Sequence, residues 1–283
     1  MCLLAAALLL FFGVPAHGGT VSLGKTTPMK SCPFSTLSAA KTLDRTQTIL
    51  EPGFRSVDVS QLKPLRTGRI TAVSVGTVTT DAGDTKPVLI KKVTAAQRAL
   101  VPNADPIAHE FQVLKDLHES SEQSTKYFPR AVALAPDFLA IEYFESKTLA
   151  QIFKEHSMTT ARAENFRRQL SDAVDILNAA GVSHGDINPT NILILGDDSI
   201  KLVDFGIAVR TGENHVSIGS HGFNSRAQRA LGSAQGSEAS RAYPVLDNAD
   251  GLEGVFRTIM LNVQDAKTYT DDPTSHYSGN SGN

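Results

Sequence analysis

A chain of 283 residues with 41% hydrophobic and 20% charged side chains has the composition of an ordinary globular protein and is long enough for one domain with a sizeable core, or for two small lobes. Its formal net charge of -2 excludes a chain-wide field that would gather nucleic acid or an anionic membrane, so any anionic ligand must be held by a local site. Residues 3–12 are an unbroken apolar run. The run is shorter than the roughly 20 residues that span a bilayer, and it suits the core of a signal peptide, with Val14-x-Ala16 as a small-residue cleavage site. Residues 1–18 are therefore expected to be removed, leaving a mature chain without a transmembrane segment in a secreted or secretory-organelle-lumen location. Of the two cysteines, Cys2 leaves with the signal, so no disulfide framework is expected and Cys32 is read as inert or intermolecular. Residues 19–50, rich in Ser, Thr, Lys and Gly, read as a linker or extension, and residues 264–283 as a disordered polar tail.

Between these limits the pattern changes once. Strands rich in Val, Ile and Thr are expected at 69–79, 87–93, 131–135 and 138–143, with one helix among them. Asp105 suits an N-cap and Pro106 the first position of that helix, and Ile107, Phe111, Leu114 and Leu117 recur at helical spacing. Glu110 falls on this apolar face, where a carboxylate must be paired or protonated, and Lys91 in the preceding strand is the nearest candidate partner. Beyond residue 144 helices prevail. One is expected over 161–180, with the stripe Phe166, Leu170, Val174 and Leu177 and a stop at Gly181. Another carries the stripe Leu252, Val255, Phe256, Ile259 and Val263. The fold class that follows is α+β: a small β-rich lobe over 51–144, a helical lobe over 145–263, and a cleft between them.

The segment from His184 to Gly206 carries the chemistry. Two apolar runs, 192–195 and 200–203, flank Gly196-Asp197-Asp198-Ser199 and predict a β-hairpin. Pairing Leu195 with Ile200 sets Ile192 opposite Val203 and makes Asn191 and Asp204 face each other at the open end. Two oxygen donors meeting there suit a hard cation such as Mg²⁺ with room left for phosphate oxygens. Asp186, five residues upstream of Asn191, enters the same end and can face a reacting hydroxyl. His184 reads as a packing and hydrogen-bonding residue beneath this loop.

His184-Gly185-Asp186 with Asn191, followed by Asp204-Phe205-Gly206, resembles the catalytic loop and metal-binding motif of protein kinases. Val88-Leu89-Ile90-Lys91 resembles the strand bearing the ATP-phosphate lysine. The helix segment from Glu110 to His118 is similar to the one whose glutamate pairs with that lysine, and Leu139-Ala140-Ile141-Glu142-Tyr143-Phe144 is similar to the hinge that takes adenine. The resemblance runs from about residue 65 to about residue 263 with its motifs in family order. It implies a bilobal kinase-like fold, its helical lobe shortened relative to the family, that uses ATP and Mg²⁺. Asp186 and Lys91 would be the catalytic residues, and Asn191 and Asp204 the metal ligands. Lys91, Glu110, Asn191, Asp204 and the backbone of Glu142 and Phe144 would be the nucleotide contacts. The implied partner is a protein that is phosphorylated or bound. Departures are equally specific. Gly68-Arg69-Ile70-Thr71-Ala72-Val73 keeps a single glycine of the phosphate loop, and Ile70 and Val73 do not allow the close backbone approach of glycine. Gly185 stands for the Arg that commonly receives an activating phosphate. Asn188 stands for a Lys that steadies the transferred group. Ser225-Arg226-Ala227 stands for Ala-Pro-Glu, and Asp250 resembles the Asp that anchors the following helix. A signal peptide with no glycine loop further resembles the secreted rhoptry-type kinases and pseudokinases of apicomplexan parasites. A secreted pseudokinase scaffold and a small-molecule kinase are the two alternatives.

Overall fold

The computed structural model describes residues 47–67, 71–93, 105–211 and 248–271. The part before residue 143 is rich in β-branched residues, which suit a pleated, half-buried surface. It forms six strands: β1 (Ile49–Leu50), β2 (Phe54–Thr67), β3 (Thr71–Thr80), β4 (Thr85–Val93), β5 (Ala131–Leu134) and β6 (Phe138–Glu142). They pair antiparallel in the order β1-β5-β6-β4-β3-β2. The four expected strands appear as β3 to β6 with ends shifted by no more than about two residues, the usual error at element ends. Residues 68–70, within the segment where the glycine loop would lie, are outside the described residues.

β1 and β2 were not expected as strands. Ile49 and Leu50, at the end of the presumed 19–50 extension, pair with Leu134 and Ala133. β2 hides from period-two counting because it is bulged. Asp58 pairs with Thr77 and the next partners are Lys63 and Val75, so residues 59–62 stand against Gly76 alone. The Ser60 amide turns back to donate to Asp58 Oδ1 at 2.8 Å. The bulge folds Val57, Val59 and Leu62 over a core of Val78, Val88, Ile90, Val132, Ala133, Phe138 and Ala140. This sheet face, marked by Val88 and Ile90, is the one opposite Lys91, because side chains alternate along β4.

The other face carries α1 (Pro106–Ser120), begun by Asp105, whose carboxylate accepts from the Ala108 amide at 3.3 Å. Ile107, Phe111, Leu114 and Leu117 are buried as the spacing predicts. A short α2 (Ser124–Tyr127) leads into β5.

The second lobe contains β7 (Lys147–Thr148), α3 (Leu149–Lys154), α4 (Thr160–Ala179), β8 (Val182–Ser183), β9 (Ile192–Ile194), β10 (Ile200–Leu202), β11 (Val209–Arg210) and α5 (Asn248–Asp271). Reciprocal bonds between Thr148 and Gln151 form a capping box on α3. Phe166, Leu170, Val174 and Leu177 of α4 are buried, and Gly181 follows at φ +68°. α5 buries Val255, Ile259 and Val263, and its backbone stays helical to Asp271. The tail expected to be disordered from 264 therefore begins as helix; Gln264, Ala266 and Lys267 have good helix propensity. Among the described residues no helix is long and apolar enough to cross a membrane.

The hairpin of β9 and β10 is present, but its register differs by one residue from the expectation. Ile194 faces Ile200 and Ile192 faces Leu202, with Asn191 accepting from the Val203 amide at 2.9 Å. The loop spans Gly196-Asp197-Asp198, closed by the Asp198 amide on the Leu195 carbonyl, with Asp198 at φ +58°. Ser199 belongs to the strand side, since its carbonyl takes the Leu195 amide. A three-residue loop ending in a left-handed residue is a stable hairpin closure, and Asp tolerates that conformation. Asn191 consequently lies opposite Val203, and Asp204 follows just beyond.

Candidate active site

Lys91 is placed by its sheet neighbours, opposite Val73 on one side and Leu139 on the other. Its side chain meets α1. Nζ donates to Glu110 Oε1 at 2.7 Å and to Oε2 at 2.9 Å, with Lys91 5% and Glu110 2% exposed. The same Nζ donates to Asp204 Oδ1 at 3.0 Å. The pairing expected for Glu110 is thus made, and it extends to a third charge. Burial alone lowers the Lys91 pKa, but Asp204 and Glu110 outweigh it and hold the ammonium above its ordinary value. Burial raises the Glu110 carboxyl against the opposing pull of Lys91 and of the Phe205 amide, which donates to Oε1 at 3.2 Å.

The second group is built on the loop between β8 and β9. Asn191, 4% exposed, donates from Nδ2 to the Asp186 carboxylate at 2.9 Å and to the Asp186 carbonyl at 3.0 Å. Its amide oxygen is thereby the atom not turned toward Asp186. Asn188 is buried, donates to the Asp186 carbonyl at 3.1 Å and accepts from the Thr190 amide and hydroxyl at 2.8 and 2.6 Å. It braces the loop from inside and supplies no cation. Gly185 sits at φ +79°, a backbone conformation that side chains disfavour. The glycine in the Arg position therefore has a local backbone reason that the motif comparison did not provide.

His184 joins the two groups. Its ring accepts the Asp186 amide at Nδ1 (3.2 Å), so Nε2 carries the proton and donates to the Val203 carbonyl at 3.2 Å. Complete burial lowers its pKa and keeps the ring neutral. The ring packs 4.6 Å from Phe205, which meets Phe128 edge-on at 5.6 Å. The packing role expected for His184 is what the structure gives it. Val203, Asp204 and Phe205 are consequently held in turn by Asn191 and His184, by Lys91, and by Glu110. Asp204 itself has φ +74°, a conformation that clusters at functional sites and is tolerated by Asp.

Asp204 and the Asn191 amide oxygen are hard oxygen donors, the chemistry Mg²⁺ prefers when phosphates and water complete its shell. Among the described residues no three His, Cys, Asp or Glu side chains gather into a protein-only metal site. Glu142 ends β6 opposite Val88, and its amide donates to the Arg130 carbonyl at 2.9 Å. Phe144 follows in the segment between β6 and β7.

Sequence reasoning missed one anchor. Asn248, 2% exposed, accepts the His184 amide at 2.8 Å and donates to the Val182 carbonyl at 2.8 Å and to Asn178 Oδ1 at 2.9 Å. Asp250, which resembles the family's helix-anchoring Asp, lies two residues further on in the first turn of α5. Two polar residues two positions apart at a helix start cannot be separated by motif alone.

Comparison with known proteins agrees with this geometry. The model of the protein kinase domain matches residues 67–235, more than half of the chain. Serine/threonine-protein kinase PKH2 of Saccharomyces cerevisiae is 31% identical over 152 residues, which is 53% of this chain and 12% of that protein. A probable serine/threonine-protein kinase of Clostridium acetobutylicum is 32% identical over 82 residues, 29% of this chain and 12% of that protein. Serine/threonine-protein kinase PknD of Mycobacterium tuberculosis is 39% identical over 72 residues, 25% of this chain and 11% of that protein. The chain thus spans about an eighth of the length of the curated relatives it matches. A β-rich lobe carrying a buried Lys91–Glu110 pair, a helical lobe carrying Asp186, Asn191 and Asp204, and a family match across both lobes lead to one conclusion: this chain belongs to the protein kinase family.

Proposed function

We propose that the chain is an ATP- and Mg²⁺-dependent protein kinase that transfers the γ-phosphoryl group to a protein hydroxyl. The observation that carries this reading is Lys91, held on Glu110 and reaching Asp204 at 3.0 Å. That ammonium is positioned to bind nucleotide phosphates, and Asp204 and Asn191 would hold Mg²⁺. When bound, the metal supplies charge neutralisation across the phosphate oxygens. Asp186, oriented by Asn191, accepts the hydrogen bond of the acceptor hydroxyl. The acceptor oxygen bonds to the γ-phosphorus as the bond to the bridging oxygen breaks, ADP departs, and the hydroxyl proton passes to Asp186 and on to solvent or phosphate. The Glu142 carbonyl and the peptide groups of Phe144 would take adenine. Positioning and electrostatics provide most of the acceleration in such chemistry.

Asp204→Ala is expected to weaken Mg²⁺-ATP binding and abolish transfer. Asp186→Ala is expected to leave nucleotide binding nearly intact and cut turnover by about 10²- to 10⁴-fold, the range for a general base. Wild-type transfer from labelled ATP indistinguishable from the Asp186→Ala background, across protein and small-molecule acceptors, would leave the scaffold reading. One observation favours that second reading: Asn188, in place of a phosphate-steadying Lys, is spent on bracing its own loop. Similarity to serine/threonine kinases supports a protein acceptor over a small molecule.

The proposal includes secretion, and with it a place among the rhoptry-type kinases. The apolar run at 3–12 and the Val14-x-Ala16 site support it. The mature protein from its native source is expected to begin between His17 and Thr20, and an intact Met1 would remove this part.

A further inference from the structure

Lys201 lies in β10, is 8% exposed, and takes no part in the chemistry above. An ammonium is expensive to bury without partners. Lys201 has partners in two other elements. Nζ donates to the Thr125 carbonyl of α2 at 2.6 Å and stands 4.7 Å over the Phe144 ring. The negative face of an aromatic ring attracts such a cation, more strongly where water is excluded. Burial lowers the Lys201 pKa, and the Glu142 carboxylate opposes that lowering.

The segment containing Phe144 is also held at its start. The Glu142 amide donates to the Arg130 carbonyl at 2.9 Å, and the Arg130 amide returns a bond to Glu142 Oε2 at 3.2 Å. The Ser146 hydroxyl donates to the Phe144 carbonyl at 3.1 Å. Glu142 is fixed by its own amide and by its carboxylate, both on the backbone of Arg130. Phe144 is fixed through its ring, and the ring is held by one buried cation whose own strand is paired to β9.

We infer that Lys201 is a positioning residue for segment 142–146, holding the Phe144 ring so that the peptide groups of Phe144 are presented in one orientation to an adenine nucleotide. The inference rests on the nucleotide-binding reading given above. It assigns Lys201 an effect on nucleotide affinity and none on the phosphoryl-transfer step, because its contacts are to the hinge segment and to α2.

The test uses the full chain with Lys201→Met, which keeps the apolar stem, together with Lys201→Arg and Phe144→Leu. Hydrogen exchange of amides 142–146 is measured without nucleotide, ADP binding by calorimetry, and turnover at saturating ATP. Lys201→Met is expected to speed exchange in this segment and to weaken ADP binding roughly five- to tenfold, the worth of one largely desolvated cation–π contact. Turnover at saturation should stay within about twofold, the signature of lost uniform binding. Lys201→Arg should restore most of the affinity, and Lys201→Met should add nothing in the Phe144→Leu background. A lower melting temperature with unchanged ADP affinity and unchanged exchange at 142–146 would reduce Lys201 to packing and overturn the inference. If the wild-type chain binds no adenine nucleotide, the nucleotide reading falls. Exchange then decides separately: faster exchange keeps Lys201 as the residue that orders the segment, and unchanged exchange overturns it.

Discussion

At the scale of single residues, burial decides what each ionisable group can do. Lys91 remains charged in a dry site because two carboxylates share it, whereas His184 and His118 are held below their ordinary pKa by burial. His118 donates from Nε2 to the Pro129 carbonyl at 2.9 Å, and its Nδ1 is buried without a hydrogen-bond partner. Arg130 and Lys201 nearby further disfavour its protonation, and Glu142 opposes them. Below the unfolded value of about 6.5 the unfolded chain takes up protons that the folded chain refuses, so stability falls as pH falls through that point and is fully present above it. Each such histidine contributes at most about 1.4 kcal/mol per pH unit between its unfolded and folded values. His118→Gln keeps a donor for Pro129 and removes one titrating group. Urea denaturation at roughly pH 7.5 and 5.5 should show a smaller loss of stability in this variant than in wild type. Equal losses would mean that His118 titrates alike in both states.

At the scale of elements, the bulged β2 depends on one residue it does not contain. A Cβ on Gly76 would lie 2.9 Å from the Asp58 carbonyl oxygen, 3.1 Å from Ile90 Cγ1 and 3.3 Å from Leu62 Cδ2. The carbonyl belongs to backbone and cannot swing aside, so Gly76→Ala must push the bulge off the sheet. The expected cost is about 1–3 kcal/mol by chemical denaturation, while Thr77→Val at the exposed neighbouring position should stay within about 0.5 kcal/mol. A neutral Gly76→Ala would show that the bulge relaxes freely. The same bulge explains what could be read in advance. α1 and α4 were legible because regular helices keep their period, and even the buried Glu110 declared itself by falling on the apolar stripe. The Lys91 partner followed from that one carboxylate. β2 was illegible because residues 59–62 interrupt the alternation. The hairpin register slipped by one because Gly196-Asp197-Asp198-Ser199 reads as four loop residues, and nothing local reveals that Asp198 is left-handed and Ser199 paired. Contacts that close only in three dimensions, such as Asn248 on His184 or Lys201 on Phe144, leave no spacing signal.

At the scale of the whole molecule, α1 is tied at three levels to residues 205–210, which run from Phe205 of the Asp204-Phe205-Gly206 motif into β11. Glu110 takes the Phe205 amide, His109 Nε2 donates to the Ala208 carbonyl at 2.6 Å, and Arg210 donates from Nη2 and Nε to Asp116 Oδ2 at 2.5 and 3.2 Å. Gln112 steadies the other Asp116 oxygen at 2.7 Å. The lysine-bearing lobe and the metal-motif lobe are thus joined along one side of a helix, and Glu110 cannot leave Lys91 without straining the contacts on either side of it. The Arg210–Asp116 pair is the outermost tie, with side chains 22% and 15% exposed. An exposed ion pair contributes little, but a mostly buried one leaves an uncompensated charge when a single partner is removed. Arg210→Ala and Asp116→Ala are each expected to cost about 1–3 kcal/mol and to speed hydrogen exchange across α1, somewhat less than for a fully buried pair. The double variant should lose less than the sum of the two, with a coupling of about 1 kcal/mol or more, because the second removal takes away a charge already stranded by the first. Strictly additive losses, with α1 exchange unchanged, would mean that carboxylate and guanidinium act separately. The tie of α1 to residues 205–210 would then rest on His109 and Glu110.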